Sequence, residues 1–413
     1  MLNMNRLFHK IVHRVCSYTQ KLLQQENDNR QEQILSSADR YSLVDSFEVG
    51  VCVQTLKEAS IEEVEPMPIY GILQSGVLRL NSPALNCYCY KQASVREGAD
   101  YILFANERAV WTKKDLPIFT KDIPMDEGLL YHDASSIIVS PCQCVKRYKK
   151  VFSMCGVYAD VWAHFMIQYV CKLYSLLQLP AEHRKDMAIM VPEYQDEHVK
   201  YVMETFVSEY LPGTELCVLH KNEMAFCEEL YYVESTTTMI DNERYVSYVD
   251  MIIPKYVNDL LKRYMIPSCV CSEPTERIFL VRRGSWRNMS NSEEVETYFA
   301  SLGFRMVEPH KMSYTEKVGL FQSAKVIVGP YSSAFTNTIF CRPGTKVLVM
   351  TNLQRAFEPF LTFYRQYFDL DMMCVTGVDE QPSESQSSYE IPLQKVICAY
   401  KELLNIEKRY GYF

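Results

Sequence analysis

The chain has 413 residues, 48% of them apolar and 23% charged, and a net charge of −8. That is the composition of a soluble globular protein too long for one ordinary core, so two domains with extra terminal elements are expected. The acidic balance argues against a nucleic-acid partner, and no apolar run approaches the ~20 residues that a membrane-spanning helix needs.

At the start of the chain, Leu7, Ile11, Val12, Val15 and Tyr18 form an apolar stripe at helical spacing, flanked by Arg6, His9, Lys10, His13 and Arg14. Such stripes are usually covered by the protein itself or by a second copy, as in a homodimer. A basic amphipathic helix of this kind also suits peripheral contact with the anionic inner face of a membrane. The polar run Gln24–Gln33 follows as a linker. No continuous apolar signal core is present here, so a cytoplasmic location is expected. The fifteen cysteines, odd in number and scattered, are read as reduced thiols. The C-x-C pairs Cys87/Cys89, Cys142/Cys144 and Cys269/Cys271 put two thiols on one face of a strand. Burial is the commoner outcome for them and a zinc site the rarer one.

From about Ser46 to Val139 the apolar period is two, punctuated by turns, and short strands are expected in FEVGVCVQTL, GVLRLN, NCYCYK, YILFAN and AVWTKK. A long helix is expected from about Ser153, then a strand at Met187–Pro192, a helix through Val199–Tyr210, and strands at Leu216–His220 and Tyr231–Ser235. On the first of these helices Asp160, His164 and Gln168 stand four apart and would share one stripe. A carboxylate beside an imidazole orients it and raises its basicity, which suits a general base. A surface pair near solvent is the plainer alternative.

Tyr256–Met265 is expected to be a helix and Ile266–Glu276, with two prolines, a linker. Beyond it, IFLVRR (Ile278–Arg283), FRMVEP (Phe304–Pro309), KVIVGP (Lys325–Pro330) and TKVLVM (Thr345–Met350) are short β-branched runs separated by helical patterns, the mark of a parallel sheet. Ligands of such sheets sit at the carboxyl ends of the strands. Two of those ends carry Arg282–Arg283, with Arg287 close behind, and Gly329-Pro330-Tyr331-Ser332-Ser333. The guanidinium forks suit a diphosphate, and a turn into a helix start, capped by Ser332 or Ser333, suits an anion. Neither His-Glu-x-x-His nor a phosphate-binding Gly-rich loop with Lys occurs, and Asp369–Leu370–Asp371 is read as a chance D-x-D, so neither metal nor cofactor is expected. Val378–Glu390 is a Ser-rich loop and Leu393–Leu404 carries the apolar spacing of a closing helix.

The stretch from Glu276 to Met350 resembles the core of glycosyltransferase family 61. The matching residues are Arg282, Arg283, Arg287, Asn291, Glu294, Gly303, Phe304, Glu308, Glu316, Leu320, Phe321, Gly329, Pro330, Ala334, Asn337, Pro343 and Gly344. His164–Phe165 match the family's His-aromatic helix, but Gln168 stands where an acidic residue is usual, and Tyr331-Ser332-Ser333 replace its His-Gly-Ala. The resemblance implies an α/β protein of GT-B type, two Rossmann-like domains facing across a cleft, preceded by an N-terminal extension. The implied divisions are 1–45 for the extension, 46–265 for the acceptor side, 266–390 for nucleotide-sugar binding, and 391–413 for a closing helix that crosses back to the first domain. It implies an inverting, metal-independent glycosyltransferase. A nucleotide-sugar donor, UDP-sugar first, would be held by Arg282, Arg283, Arg287, Glu308, Gly329, Tyr331, Ser332, Ser333 and Asn337. His164 would act as base with Asp160 and Gln168, on a glycan or lipid-linked glycan acceptor. Gln168 and Tyr331 keep two alternatives open: an inactive glycan- or nucleotide-binding subunit, and another polysaccharide-modifying transferase such as a pyruvyltransferase.

Overall fold

The computed structural model describes residues 38–73, 76–111, 126–142, 144–234, 253–266, 276–284, 288–356, 359–379 and 388–406. The N-terminal stripe, the polar run after it, Arg287, the Cys269/Cys271 pair and most of the linker and Ser-rich loop lie outside these residues. Among the described residues no helix is long and apolar enough to cross a membrane.

The protein is mixed α/β. Its C-terminal sheet follows the order Arg305–Val307, Glu276–Leu280, Ala324–Pro330, Lys346–Asn352, Asp371–Asp379, Tyr389–Glu390, parallel except for the last short strand. Numbered along the chain, the parallel strands run 2-1-3-4-5, a doubly wound order. Alternation along each strand explains why it is covered on both faces. Phe279, Val326, Val328, Leu348 and Met350 point to one side, where they meet Val295 and Phe299 of the helix Ser292–Ser301 and Val396, Ala399, Tyr400 and Leu403 of the helix Leu393–Leu404. Ile278, Leu280, Ile327, Val347 and Val349 point to the other, against Phe321, Phe335, Ile339 and Phe363. Each buried side chain of this size contributes about 1.5–3 kcal/mol. The closing helix therefore stays with the C-terminal sheet instead of crossing to the first half. Its apolar face fills the layer beside Phe299, and Lys346 Nζ donates to the Leu403 carbonyl at its end (3.0 Å).

The first half is not the self-contained Rossmann-like unit that was expected. Among the described residues its main element is an 11-stranded mixed sheet. Leu216–Leu219, Ala188–Pro192, Cys144–Ser153 and Glu223–Val233 pair in parallel, but the long strands Glu223–Val233 and Leu85–Arg96 then pair antiparallel and carry the sheet into the earlier strands. Cys87 and Cys89 both point into the same core from Leu85–Arg96. That core continues without a break into the face of the C-terminal sheet that holds Phe335 and Phe363. The helix Glu197–Tyr210 starts where Asp196 accepts from the backbone N–H of His198 and Val199, and it buries Val199, Val202, Met203 and Phe206.

Candidate active site

In the order 2-1-3-4-5 the crossovers leave in opposite directions between strands 1 and 3, which opens a crevice at their carboxyl ends. Here those strands are Glu276–Leu280 and Ala324–Pro330. Gly329 makes the crevice narrow, because a Cβ at this position would lie 2.6 Å from the Leu280 carbonyl oxygen, so only glycine lets the two backbones approach so closely. Arg282, half-buried, reaches across with Nη1 3.5 Å from the Tyr331 carbonyl oxygen. The Tyr331 N–H donates to Met350 (2.8 Å) and its ring is buried in the core.

Ser332 is extended and precedes a 3₁₀ helix, Ser333–Phe340. The expected side-chain cap is not formed. The Ser332 carbonyl instead accepts from Phe335 N–H (3.1 Å), the tighter 3₁₀ closure. Ser332 is half-buried and Ser333 exposed.

The neighbouring Arg283 is placed differently. It turns outward and donates two bonds of 2.6 Å to Glu296 on the helix Ser292–Ser301, which holds its guanidinium pKa above the ordinary value. Glu308 ends the strand Arg305–Val307 and accepts from Lys311 (2.8 Å), which draws its carboxyl below the usual range. Glu316 closes a capping box with Ser313 at the start of the helix Tyr314–Ser323.

The His164 segment follows Trp162, which joins it to the C-terminal half through Asn337. The helix was expected from about Ser153, where the strand Cys144–Ser153 ends, but a turn over residues 154–161 follows the strand and the helix starts only at Trp162. Asp160 therefore precedes the helix and does not share a stripe with His164 and Gln168, and Tyr158 takes a left-handed φ of +59° in the intervening turn. His164 leads into a π-helical turn, Phe165–Tyr169, a wider turn often found at functional sites. Its Nδ1 is 3.1 Å from Gln168 Oε1, and its ring lies 4.7 Å from that of Tyr158. With the amide oxygen accepting, Nδ1 carries the proton and Nε2 is the basic nitrogen. Burial pushes the Asp160 carboxyl up, and the His164 charge opposes this. Glu97, which no sequence pattern marked, belongs to the same polar group; burial first and Asp160 next push its carboxyl up to about 7.

The two sides meet at Trp162. Its Nε1–H donates to Asn337 Oδ1 (2.9 Å), and Asn337 Nδ2 donates to the Ala334 carbonyl (2.9 Å). Asn337 is thus buried at the junction instead of facing the crevice openly. Lys317 Nζ sits 3.8 Å from the centre of the Trp162 ring. Burial pushes its amine down to about 7, against the pull of Asp196. His198 Nε2 is 2.8 Å from the Met312 carbonyl, and its Nδ1 is 3.1 Å from Asp196.

The family model described as Glycosyltransferase 61 matches residues 162–348. The chain carries a glycosyltransferase family 61 domain. A search of curated proteins finds no match. The matched stretch begins at Trp162 and ends in the strand Lys346–Asn352, so it contains both sides of the junction, and such a domain implies a sugar donor and an acceptor. Within the glycosyltransferase 61 domain lie His164, Gln168, Arg282, Gly329 and Lys317; Asp160 and Glu97 lie before it. Asp371 of the D-x-D lies after it, 8% exposed and 3.5 Å from Lys346 Nζ.

Proposed function

We propose that this chain is an inverting, metal-independent glycosyltransferase that moves a sugar from a nucleotide-diphosphate donor, UDP-sugar first, to a hydroxyl of a glycan acceptor. The observation that carries the proposal is Arg282 spanning the switch-point crevice that Gly329 holds narrow. A diphosphate there would meet a guanidinium fork and the first N–H groups of the 3₁₀ helix, whose dipoles favour an anion. Arg283 joins by exchanging the Glu296 carboxylate for phosphate. Arg287, Glu308, Ser332 and Ser333 complete the donor side, Asn337 braces the turn from beneath through the Ala334 carbonyl, and the acceptor lies against the His164 segment.

In the proposed reaction Nε2 of His164 takes the acceptor's hydroxyl proton. The oxygen forms its bond to the anomeric carbon as the bond to the diphosphate breaks on the opposite face. Gln168 holds the productive tautomer, and Asp160 supplies through-space charge when ionised. Alignment and charge neutralisation provide most of the acceleration. One observation favours a second reading, a binding subunit without turnover: a neutral amide at Gln168 orients the imidazole but does not stabilise an imidazolium.

The test is a thermal-shift screen against UDP, GDP, CMP and TDP and their sugars, run with wild type and Arg282→Ala. One nucleotide should raise the wild-type melting temperature by mass action and lose that effect in the variant. No shift with any nucleotide removes the donor assignment. Binding without sugar turnover across donors and acceptors selects the second reading.

A further inference from the structure

Lys317 is 2% exposed, yet its described partners are only the face of the Trp162 indole and, through space, the Asp196 carboxylate. Among the described residues none accepts a hydrogen bond from its Nζ. A buried ammonium normally has such acceptors, since an uncompensated one is costly. Asp196 is committed elsewhere, to the backbone of His198 and Val199 and to the His198 ring. Tyr314, on the same helix, stays a neutral phenol because burial pushes it far up.

Position gives this amine a use. The helix Tyr314–Ser323 follows the strand Arg305–Val307 and leads down to Ala324–Pro330, so its first turns, with Lys317, lie on the carboxyl-end side of the sheet. Trp162 under the amine is hydrogen-bonded to Asn337 in the helix that leaves the crevice. We infer that Lys317 is a phosphate-binding residue, whose Nζ takes a proton from solvent when the donor's diphosphate arrives and then donates hydrogen bonds to it. The inference rests on the donor reading above. It explains why a lysine is kept where burial disfavours its charge: burial shifts the amine towards its neutral form, and a bound anion restores the ordinary protonated one. The Trp162 face steadies the new cation.

The experiment is isothermal titration of UDP into wild type and Lys317→Met at pH 8, in two buffers of different ionisation heat. At that pH the diphosphate is fully ionised, so any proton taken up belongs to the protein. Wild type should take up close to one proton per UDP. Lys317→Met should bind at least tenfold more weakly, take up none, and remain folded with an unreduced melting temperature. Wild-type binding without proton uptake at pH 8, or equal affinity in the variant, overturns the inference while leaving the donor reading intact. If UDP does not bind wild type, GDP, CMP and TDP are titrated in turn, and binding by none of them overturns both.

Discussion

At the switch-point crevice the main features belong to the backbone: two strand ends drawn together at Gly329, a 3₁₀ turn after Ser332, and one half-buried arginine laid across them. At the segment after Trp162 they belong to side chains: His164 bonded to Gln168 on a π turn, two carboxylates with raised pKa, and a tryptophan that ties both sides together. A backbone site is rigid and chemically general, and it suits a diphosphate, which is common to many donors. A side-chain site is easily altered by single substitutions, and in the proposed reaction it serves the acceptor and the proton. Substitutions should therefore act mainly on stability and binding in the first region, and mainly on turnover in the second.

His164→Ala should lower kcat by about 10²–10⁴, the usual worth of a general base, with nucleotide affinity unchanged. Single-turnover kinetics alongside nucleotide titration checks it; an unchanged rate removes His164 from the chemistry. Gln168→Glu refines the same point. A carboxylate on Nδ1–H makes the imidazole more basic, so the acid limb of the kcat/KM profile should move to higher pH. An unmoved limb would mean that another group takes the proton, with Glu97 the first to examine.

Gly329→Ala places a Cβ 2.6 Å from a backbone oxygen of the adjoining strand, where no flexible side chain can give way. A loss of about 2–4 kcal/mol is expected from strain alone, with nucleotide binding weakened in whatever fraction stays folded. Urea unfolding measures the first and titration of the folded protein the second. A variant of wild-type stability would show that the strand ends do not need their close approach.

Lys317 and Glu97 give the junction a pH signature. The lysine's folded pKa, about 7, lies below its ordinary value, so the unfolded chain binds the proton more tightly and stability rises as pH climbs from about 7 towards 10.5. The glutamate's, also about 7, lies above its ordinary value, so stability is lost as pH climbs from 4.5 to about 7. Together they put the least favourable balance near neutrality. Lys317→Met should gain roughly 2–4 kcal/mol at pH 7 and flatten the alkaline rise, measured as melting temperature against pH. An unchanged slope would mean that the amine is solvated in the native protein. A gain in stability together with a loss of nucleotide affinity is the usual trade at a functional site.

The same contrast governs what sequence pattern could reveal. The strands Glu276–Leu280, Ala324–Pro330 and Lys346–Asn352 were legible because each is a short β-branched run, buried on both faces and bounded by helices. Their carboxyl ends, and so Arg282 and Gly329, followed from topology alone. Cys144–Ser153 escaped because its lysines disguise the apolar alternation: Lys146 leaves the strand to pair with Glu223, and Lys150 reaches the Lys185 carbonyl. The turn after that strand, with Tyr158 at positive φ, carried no breaker that stood out in sequence, and reading it as helix put Asp160 on a stripe it does not occupy. The strand Asp371–Asp379 was hidden behind the aromatic run before it. The Trp162–Asn337–Lys317 junction had no local signal, since it joins residues far apart in sequence and Trp162 by itself matches an ordinary apolar helix face.

Arg282 and Arg283 divide the two kinds of site within one dipeptide. If Arg283 exchanges its carboxylate for phosphate, Glu296→Gln should release the guanidinium and tighten nucleotide binding a few-fold. An exposed pair of this type is itself worth under about 1 kcal/mol, so the fold should not suffer. Unchanged affinity would leave Arg283 as a surface residue and Arg282 as the arginine of the crevice.

Gly319 supplies the mildest contrast. It lies ten residues before Gly329, inside the helix Tyr314–Ser323, and a Cβ added to it meets nothing within 4 Å. Nothing about its backbone asks for glycine, so Gly319→Ala should stabilise by about 0.5–1 kcal/mol through helix propensity, with turnover untouched. Two glycines in one half of the molecule should therefore respond to the same substitution with opposite signs, because one sits where two strand backbones meet and the other on an open helix surface. A loss of stability at Gly319, read by urea unfolding, would mean that this helix face is covered in solution, most directly by a second molecule, and a concentration series of the same measurement would reveal it.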